Sequence, residues 1–279
     1  MVFFAGQAVA WVFAGAMATA PTLANDCITL SGNLTQGGLV WGKVAPGQSV
    51  TLNGAPLEVL EDGTTVAGFG RDAASSAELV VRGSEECRQT LSIAQREYNI
   101  QRVEGVPQQT VTPPQEQLDR IARERALVGA AKARRIERPD LLLDTLAGFV
   151  WPAQGPISGV YGSQRVYNGS PRSPHYGVDV AVPRGTPVAA PAPGVITLAE
   201  PDLFYSGGTI ILDHGYNLSS SFLHLSAVSV KVGQVVETGD VIGAVGATGR
   251  ATGPHLDWRM SWRQERIDPQ LLVPPMPKP

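Results

Sequence analysis

The chain has 279 residues, of which 17% are charged, with 31 glycines, 22 prolines and a formal net charge of −3. This length allows one or two domains with a buried core, and the many glycines and prolines favour a turn-rich β protein over a helical bundle. The sequence has no long basic run, so nothing in its charge pattern indicates a nucleic-acid partner.

The first 24 residues differ in composition from the rest of the chain. No charged residue occurs from Val2 to Ala20, and Thr22 and Ala24 place small residues at the −3 and −1 positions of a signal-peptidase site. The sequence therefore predicts a signal peptide at residues 1–24 and export to the periplasm or cell envelope. A retained N-terminal membrane anchor is the alternative, because the apolar run is about long enough to span a bilayer.

The chain contains two cysteines, Cys27 and Cys87. In an exported protein an even number of cysteines predicts a disulfide, and the alternative is a pair of unrelated buried thiols. The bridge closes a loop of about 60 residues, which corresponds to on the order of 4 kcal/mol in the chain-entropy model. No Cys-x-x-Cys motif is present, so the sequence indicates neither a dithiol redox site nor a cysteine zinc site.

Residues 27–105 read as short strands separated by turns. Asn53-Gly54 is typical of a type I′ hairpin, and Asp62-Gly63 gives a second turn signal. Strands at this short, regular spacing predict a small β-sandwich-like or barrel domain. No catalytic arrangement of residues occurs here, so a structural or binding module is expected.

Residues 106–148 predict a linker followed by a helix. Thr112 is a suitable cap, Pro113 suits the first helical position, Gln115 completes a capping box, and Pro139 is expected to end the helix. We expect a solvated connector, with contact to the cell wall or to an envelope protein partner as the alternative. The last segment, residues 273–279, is rich in proline and predicts an extended tail.

Four histidines occur in the chain, and all lie in the last 105 residues: His175, His214, His224 and His255. His175 and Asp179 are four positions apart, and His255 and Asp257 are two apart, so in extended segments each pair shares one face. Imidazole nitrogens and carboxylate oxygens are zinc ligands. Three of these groups can bind a metal while the fourth acts as base, which leaves the open position that catalysis requires. Ordinary surface polarity is the alternative for either pair alone.

Residues 149–272 resemble the zinc endopeptidases of the lysostaphin/LytM type, which cut the peptide part of bacterial peptidoglycan. The resemblance includes a His-x-x-x-Asp motif, an Asp-His-Gly turn, a Phe-x-His-Leu segment and a Thr-Gly-Pro-His motif near the end. The stretches that carry it, in chain order, are residues 156–162, 175–179, 185–191, 194–196, 213–215, 222–226, 232–243, 246–249 and 252–255.

The resemblance implies a mostly antiparallel β fold with a groove and assigns roles to individual residues. His175 and Asp179 are the implied zinc ligands, His255 the residue that activates water, and His224 the residue that stabilises the intermediate. The family's third ligand is a second histidine of the last motif, whereas this chain has Asp257 there. His214 matches a position that the family often fills with a histidine without a catalytic role, so a structural role is expected.

The departure at Asp257 leaves alternatives open. As third ligand, Asp257 gives the site two carboxylates, which lowers the Lewis acidity of zinc and suits a harder metal such as manganese. Alternatively, Asp257 pairs with Arg259 on the same strand face, and metal binding is lost.

The sequence thus predicts a mostly β protein in which a small N-terminal β-sandwich-like domain and a connecting helix precede an antiparallel peptidase domain at residues 149–272. The expected function is that of an exported zinc metalloendopeptidase that hydrolyses a stem peptide or cross-bridge of peptidoglycan. One alternative is a catalytically impaired LytM-like domain that regulates another cell-wall hydrolase. The other is a wall-binding protein in which residues 27–105 do the main work.

Overall fold

The computed structural model describes residues 26–103 and 115–277. The signal peptide predicted at residues 1–24 and the helix cap predicted at Thr112 and Pro113 lie outside the described residues, as does the end of the predicted tail. The predicted fold class is confirmed, because strands dominate and nearly all pair antiparallel. Across the described part of the chain, no helix combines the length and the apolar character needed to cross a membrane.

The N-terminal region, residues 26–103, forms two antiparallel sheets that share one core. One sheet has the order β1-β2-β5 and the other β4-β3-β6-β7. Asn53 and Gly54 connect β3 to β4 with φ values of 49° and 79°, which is the backbone that the predicted type I′ turn requires. The strands are β1 (Leu30–Gly32), β2 (Leu39–Lys43), β3 (Ser49–Leu52), β4 (Ala55–Leu57), β5 (Thr64–Gly68), β6 (Ser76–Arg82), β7 (Glu86–Ser92) and β8 (Ile100–Val103).

The predicted disulfide is confirmed. Cys27 and Cys87 are bonded across a sequence separation of 60 residues. The bridge ties the segment before β1 to β7, and it therefore joins the edges of the two sheets of the N-terminal region.

Two helices follow, α1 (Gln115–Ala133) and α2 (Pro139–Ala147). The prediction of a single helix ended by Pro139 is wrong, because Pro139 begins α2. A proline suits the first turn of a helix, where its fixed φ is favourable and its missing N–H has no intrahelical partner. Pro139 therefore marks the beginning of a second helix rather than the end of the first.

Helix α1 packs against the sheet of the C-terminal region, so the expectation of a solvated connector is also wrong. Ala131, with Val128 beside it, packs against the buried side chains of Leu198, Leu203 and Ile211. Lys132 Nζ donates to Ser261 Oγ at 3.2 Å. These contacts hold α1 against the molecule near its C-terminal end.

The C-terminal region, residues 149–277, is built on an eight-stranded antiparallel sheet. Its order is β18-β14-β15-β16-β20-β12-β9, with β21 also paired to β20, and a small sheet β13-β19-β17 lies beside it. The strands are β9 (Ile157–Gly159), β10 (Gln164–Tyr167), β11 (Ser170–Pro171), β12 (Gly177–Val180), β13 (Pro187–Ala189), β14 (Gly194–Leu203), β15 (Gly207–Asp213), β16 (Leu218–Leu225), β17 (Ala227–Val228), β18 (Val235–Val236), β19 (Val241–Ala244), β20 (Leu256–Trp262) and β21 (Glu265–Ile267), followed by a 3-10 helix (Pro269–Leu271).

Strands β12 and β20 alternate between a core face and a polar face. Val178, Val180, Leu256 and Trp258 are fully buried. Because neighbouring residues of a strand point to opposite faces, the polar residues of both strands share the other face of the sheet.

The two regions are in direct contact. β8 pairs in parallel with β10, Arg96 forms an ion pair with Asp268, and Gly68 lies against Trp262 and Ile267. The domain limits predicted from the sequence stay a prediction, but the N-terminal region does not stand apart from the C-terminal sheet.

Candidate metal centre

Three predicted ligands come together on the polar face of β12 and β20. The strand register places Asp179 directly opposite Asp257, and His175 precedes β12. One ligand atom from each of His175, Asp179 and Asp257 lies within 4.8 Å of the others. The sequence spacing therefore identified side chains that converge, although they come from strands almost 80 residues apart.

Two glycines leave the space that the carboxylates occupy. Gly159 in β9 lies opposite Asp179 in β12. A Cβ atom on Gly159 would lie 2.2 Å from Asp179 Oδ2. A Cβ atom on Gly177, opposite Arg259, would lie 2.6 Å from Arg259 Cγ and 2.8 Å from Asp257 Oδ1. A larger residue at either position would displace the acidic side chains, so both glycines shape the cluster.

The cluster contains buried acceptor atoms that lack partners. His175 Nε2 and Asp179 Oδ1 are 3.2 Å apart, yet the geometry makes no hydrogen bond, and neither atom has another partner. Burying an unsatisfied polar group costs free energy, and a cation between these atoms would satisfy both. One imidazole nitrogen with two carboxylates is a donor set that zinc accepts. The residues present therefore fit a divalent metal ion.

Asp257 is buried but remains ionised. Burial favours its protonated form, but the charge and hydrogen bonds of Arg259 outweigh that effect and lower the pKa of the Asp257 carboxyl group. Arg259 Nε donates to Oδ1 at 2.9 Å and to Oδ2 at 3.1 Å, and Nη2 also donates to Oδ2. The pairing that the sequence offered as an alternative to metal binding is thus present together with the ligand cluster.

His224 and His255, the two predicted catalytic histidines, lie side by side with ring centroids 4.9 Å apart. Leu223, next to His224, is opposite Asp257 in the register of β16 and β20, so the pair adjoins the ligand cluster. His224 Nδ1 contacts Thr248 O and His255 Nδ1 contacts Gly253 O, both at 2.8 Å. A carbonyl only accepts, so each Nδ1 carries the hydrogen and each neutral ring presents a lone pair at Nε2.

The environment of His224 favours its neutral form. Burial lowers its pKa, and the hydrogen bond to Thr248 and the charge of Asp257 oppose that effect only in part. His224 also has a left-handed backbone with φ of 64°, one residue before the end of β16. Such a conformation is uncommon for a residue other than glycine. No sequence signal predicted it.

His214 lies in a different environment, consistent with the structural role predicted for it. Its side chain is fully buried. Nδ1 donates to Pro193 O at 2.7 Å, and Nε2 accepts from Ser220 Oγ at 2.8 Å. Burial lowers its pKa to about 4, so the ring is neutral at pH 7 and both nitrogens are already used.

Comparison with known proteins assigns the fold and cluster to a class of peptidases. The sequence profile of Peptidase family M23 matches residues 173–269, the segment that contains all five predicted site residues. A Pseudomonas aeruginosa crystal structure assigned to peptidase M23 is 33% identical, with a TM-score of 0.64, over 86% of this chain and 94% of that chain. The chain belongs to peptidase family M23, which confirms the resemblance found in the sequence.

Two curated relatives match the C-terminal region alone. Peptidoglycan DD-endopeptidase ShyA of Vibrio cholerae is 38% identical over 104 residues, which cover 37% of this chain and 24% of that protein. DD-carboxypeptidase/endopeptidase Mpg of Neisseria meningitidis is 40% identical over 104 residues, with the same coverage. The matched part thus spans about a quarter of each relative. The Pseudomonas structure, in contrast, also includes the N-terminal region, since its coverage exceeds the length of the C-terminal region.

Proposed function

We propose that the protein is an exported zinc metalloendopeptidase that hydrolyses peptide bonds of bacterial peptidoglycan. The observation that carries the proposal is the convergence of His175, Asp179 and Asp257 beside the His224–His255 pair. Membership of peptidase family M23 supports it, as do the names of the two relatives, one a peptidoglycan DD-endopeptidase and the other a DD-carboxypeptidase/endopeptidase. These names favour the enzyme over the regulator and the wall-binding protein.

His175, Asp179 and Asp257 would hold the zinc ion. When bound, zinc polarises a carbonyl group and lowers the pKa of water at its open position. The two carboxylates and the single imidazole also suit manganese, so the identity of the metal belongs to the proposal. Arg259 does not exhaust the capacity of Asp257, because an ionised carboxylate has about four acceptor positions.

His255 is suited to the role of general base. Its Nδ1 hydrogen is committed to Gly253 O, so Nε2 is free to take a proton from the attacking water and to return it to the leaving amine. His224 is held in the same tautomer by Thr248 O. Its neutral ring accepts at Nε2, so it can donate to a developing oxyanion only after it has taken up a proton there.

Export and the substrate complete the proposal. The composition of residues 1–24 is that of a signal peptide, and a disulfide such as Cys27–Cys87 forms and persists in an oxidising compartment. Peptidoglycan stem peptides or cross-bridges outside the inner membrane are the proposed substrate. An envelope protein partner stays a proposal without a specific surface.

The test is metal analysis of the purified full-length protein together with digestion of isolated sacculi. We expect about one equivalent of zinc and release of muropeptides cut at a peptide bond. Asp257→Ala is expected to lose the metal and the activity, whereas Asp257→His is expected to keep zinc or bind it more tightly. His255→Gln is expected to keep the metal and lose hydrolysis.

The control is Asp202→Ala, which removes an exposed carboxylate paired with Arg120 and should change neither readout. The proposal fails if the wild-type protein binds no divalent metal under any condition tested. Full metal occupancy in Asp257→Ala would show that this carboxylate is only a partner of Arg259.

A further inference from the structure

Arg259 reaches the candidate metal centre from within the same strand. It lies two residues after Asp257 in β20, so both side chains lie on the polar face. Its guanidinium group forms a bidentate clamp on the Asp257 carboxylate through Nε and Nη2. The planar, rigid arrangement of its donors matches a carboxylate in a way that a lysine ammonium does not.

This ion pair differs from the exposed ones elsewhere in the described structure. The side chain of Asp257 is 3% exposed and that of Arg259 is 32% exposed, whereas in the Arg88–Glu86 pair the values are 55% and 40%. The neighbouring strand β12 also leaves space for Arg259. The residue opposite Arg259 is Gly177, and any side chain at position 177 would clash with Arg259 Cγ. The pair is therefore built into the sheet.

The position of Arg259 matters because two carboxylates face each other in this cluster. Like charges directly opposite each other on neighbouring strands destabilise a sheet, and Asp179 and Asp257 are such a pair. The charge of Arg259 acts on both carboxylates. His175 is neutral when it serves as a ligand, so with Arg259 the cluster presents one net negative charge to a cation instead of two.

We propose that Arg259 is the counter-ion of the metal centre, a positioning residue that orients the Asp257 carboxylate and cancels the charge of one of the two acidic ligands. The inference rests on the proposed function, since it concerns the same site. It explains how a site with two carboxylates keeps a bound metal electrophilic, because excess negative charge on the ligands offsets the charge of the cation.

Loss of a counter-ion changes metal affinity in the opposite direction to loss of a purely structural residue. Without Arg259, a divalent ion would meet two uncompensated carboxylates and lose a repulsive neighbour, so Arg259→Gln should bind zinc about tenfold more tightly. The more strongly neutralised metal should be a weaker Lewis acid, so kcat should fall. A residue that only braced the strand would instead weaken zinc binding when it was removed.

The experiment titrates the full-length apoprotein with zinc against a chromophoric chelator. It compares the wild type with Arg259→Gln, Arg259→Met, Arg259→Lys and the control Arg263→Gln. Arg263 lies in the β20–β21 turn and donates to Pro56 O, so its replacement should leave affinity unchanged. Arg259→Lys keeps the charge but not the bidentate clamp, so its zinc affinity should lie closer to the wild-type value than that of the neutral variants, while kcat falls because the Asp257 carboxylate is less firmly oriented. Circular dichroism and thermal unfolding show which variants are folded, and having two neutral variants guards against misfolding of one.

Tighter binding by the neutral variants, with rescue by lysine, supports the inference. Equal or weaker binding by folded Arg259→Gln and Arg259→Met overturns it and leaves the proposed function intact. If the wild type binds no zinc but the neutral variants do, the proposed function fails and the counter-ion role stands. If neither binds zinc, both fail.

Discussion

At the scale of single residues, the most unusual feature of the site is the backbone of His224. Its φ of 64° places it in the left-handed region, which costs roughly 1–2 kcal/mol for an L-residue. Its N–H donates to Ser206 O at 2.8 Å, and its ring contacts Thr248 O and lies beside His255. Strained residues cluster at functional sites, where the surrounding structure holds them, and His224 fits that pattern.

This strain predicts an unusual order of stability for two truncations. Both His224→Gly and His224→Ala remove the ring, but a positive φ costs free energy for alanine and not for glycine. His224→Gly should therefore be the more stable by about 1 kcal/mol in urea unfolding, with hydrolysis lost in both variants. At Val241, an exposed position of β19 that is not among the positive-φ residues, alanine should be the more stable of the two. The same order at both positions would contradict the strain at His224.

The sequence could predict part of the site but not all of it. The residue spacings pointed to His175, Asp179 and Asp257, and the structure brings these three together, although His175 precedes β12 and so is not placed by strand period. The backbone of His224 and the carbonyl partners of both histidines depend on which loops lie beside β16, and short-range pattern does not encode that. The sequence predicted the pairing of Arg259 with Asp257 as an alternative to metal binding. That the pair coexists with the ligand cluster depends on the space that Gly177 leaves opposite Arg259.

At the scale of elements, the predictions that rested on strand periodicity or turn residues were confirmed. The prediction that rested on a proline as a helix boundary was wrong. The Asn53-Gly54 hairpin formed as expected, because its turn type requires residues that adopt positive φ. Helix α2 was missed because a proline can either end a helix or begin one. The sequence did not indicate the packing of α1 on β14 and β15, because its apolar part involves only Val128 and Ala131 and the rest is polar, as where Arg120 donates to Asp202 in β14.

The end of β15 and the turn that follows it contain two buried ionisable residues whose pKa values shift in opposite directions. Burial raises the pKa of the Asp213 carboxyl group to about 7, although a hydrogen bond from the Gly215 amide and the charge of Arg134 oppose the shift. Burial lowers the pKa of His214 to about 4. Both residues are therefore disposed to be neutral in the folded protein, and their effects on stability oppose each other as pH changes.

Whether acidification stabilises or destabilises the fold depends on whether the folded or the unfolded state binds the proton more tightly. Between pH 6.5 and 4 the unfolded His214 is protonated and the folded one is neutral, so acidification destabilises the fold. Between pH 7 and 3.8 the folded Asp213 is protonated and the unfolded one is ionised, so acidification stabilises the fold. Relative to the wild type, Asp213→Asn should lose about 3 kcal/mol on going from pH 7 to pH 4, and His214→Gln should gain a similar amount.

Urea unfolding at several pH values between 4 and 7 measures both slopes on the full-length protein. The exposed residue Asp72, which pairs with Arg71, provides the control, since the stability of Asp72→Asn should change with pH in parallel with that of the wild type. Parallel profiles for all four proteins would contradict the assignment of neutral buried forms to Asp213 and His214.

At the scale of the whole molecule, the two regions share one buried core. The cluster of buried apolar residues runs without interruption from Leu39 and Leu79 in the N-terminal region to Trp258 and Ile267 in the C-terminal sheet. Near the metal centre, Tyr98 lies where any side chain on Gly162 would go, and Arg71 Nε donates to Gly162 O at 3.0 Å. The amide of Gly162 in turn donates to His175 O at 2.8 Å. The N-terminal region therefore supports the backbone of a predicted ligand.

The disulfide should stabilise the N-terminal region without affecting the ligand cluster. Replacing both cysteines, Cys27→Ala with Cys87→Ala, should reduce the free energy of unfolding by about 2–4 kcal/mol, because the unfolded chain regains the freedom of a loop of some 60 residues. Zinc content should not change, and adding a reductant to the wild type is the control. Detection of two free thiols in exported protein by mass analysis under non-reducing conditions would contradict the pairing.

The ion pair between Arg96 and Asp268 is the most buried charged contact between the two regions among the described residues. Asp268 is 1% exposed, its Oδ2 accepts from Arg96 Nη1 at 2.8 Å, and its Oδ1 caps the 3-10 helix by accepting from the Gln270 amide. Burial raises the pKa of Asp268, and Arg96 opposes that shift. Removing the arginine leaves a buried carboxylate without its charged partner, which is strongly destabilising.

Arg96→Met should therefore reduce the free energy of unfolding by about 2–3 kcal/mol, below the usual range for a fully buried pair because Arg96 is partly exposed. Adding Asp268→Asn to Arg96→Met should recover part of the loss, because an amide can still cap the 3-10 helix and needs no counter-ion. Arg88→Met, which breaks an exposed pair, should cost less than about 1 kcal/mol. Because the core is continuous, circular dichroism and tryptophan fluorescence should report one shared urea transition in every variant. If the N-terminal region unfolded first and the zinc site persisted, the two regions would be separate folding units and Arg96 would only join them.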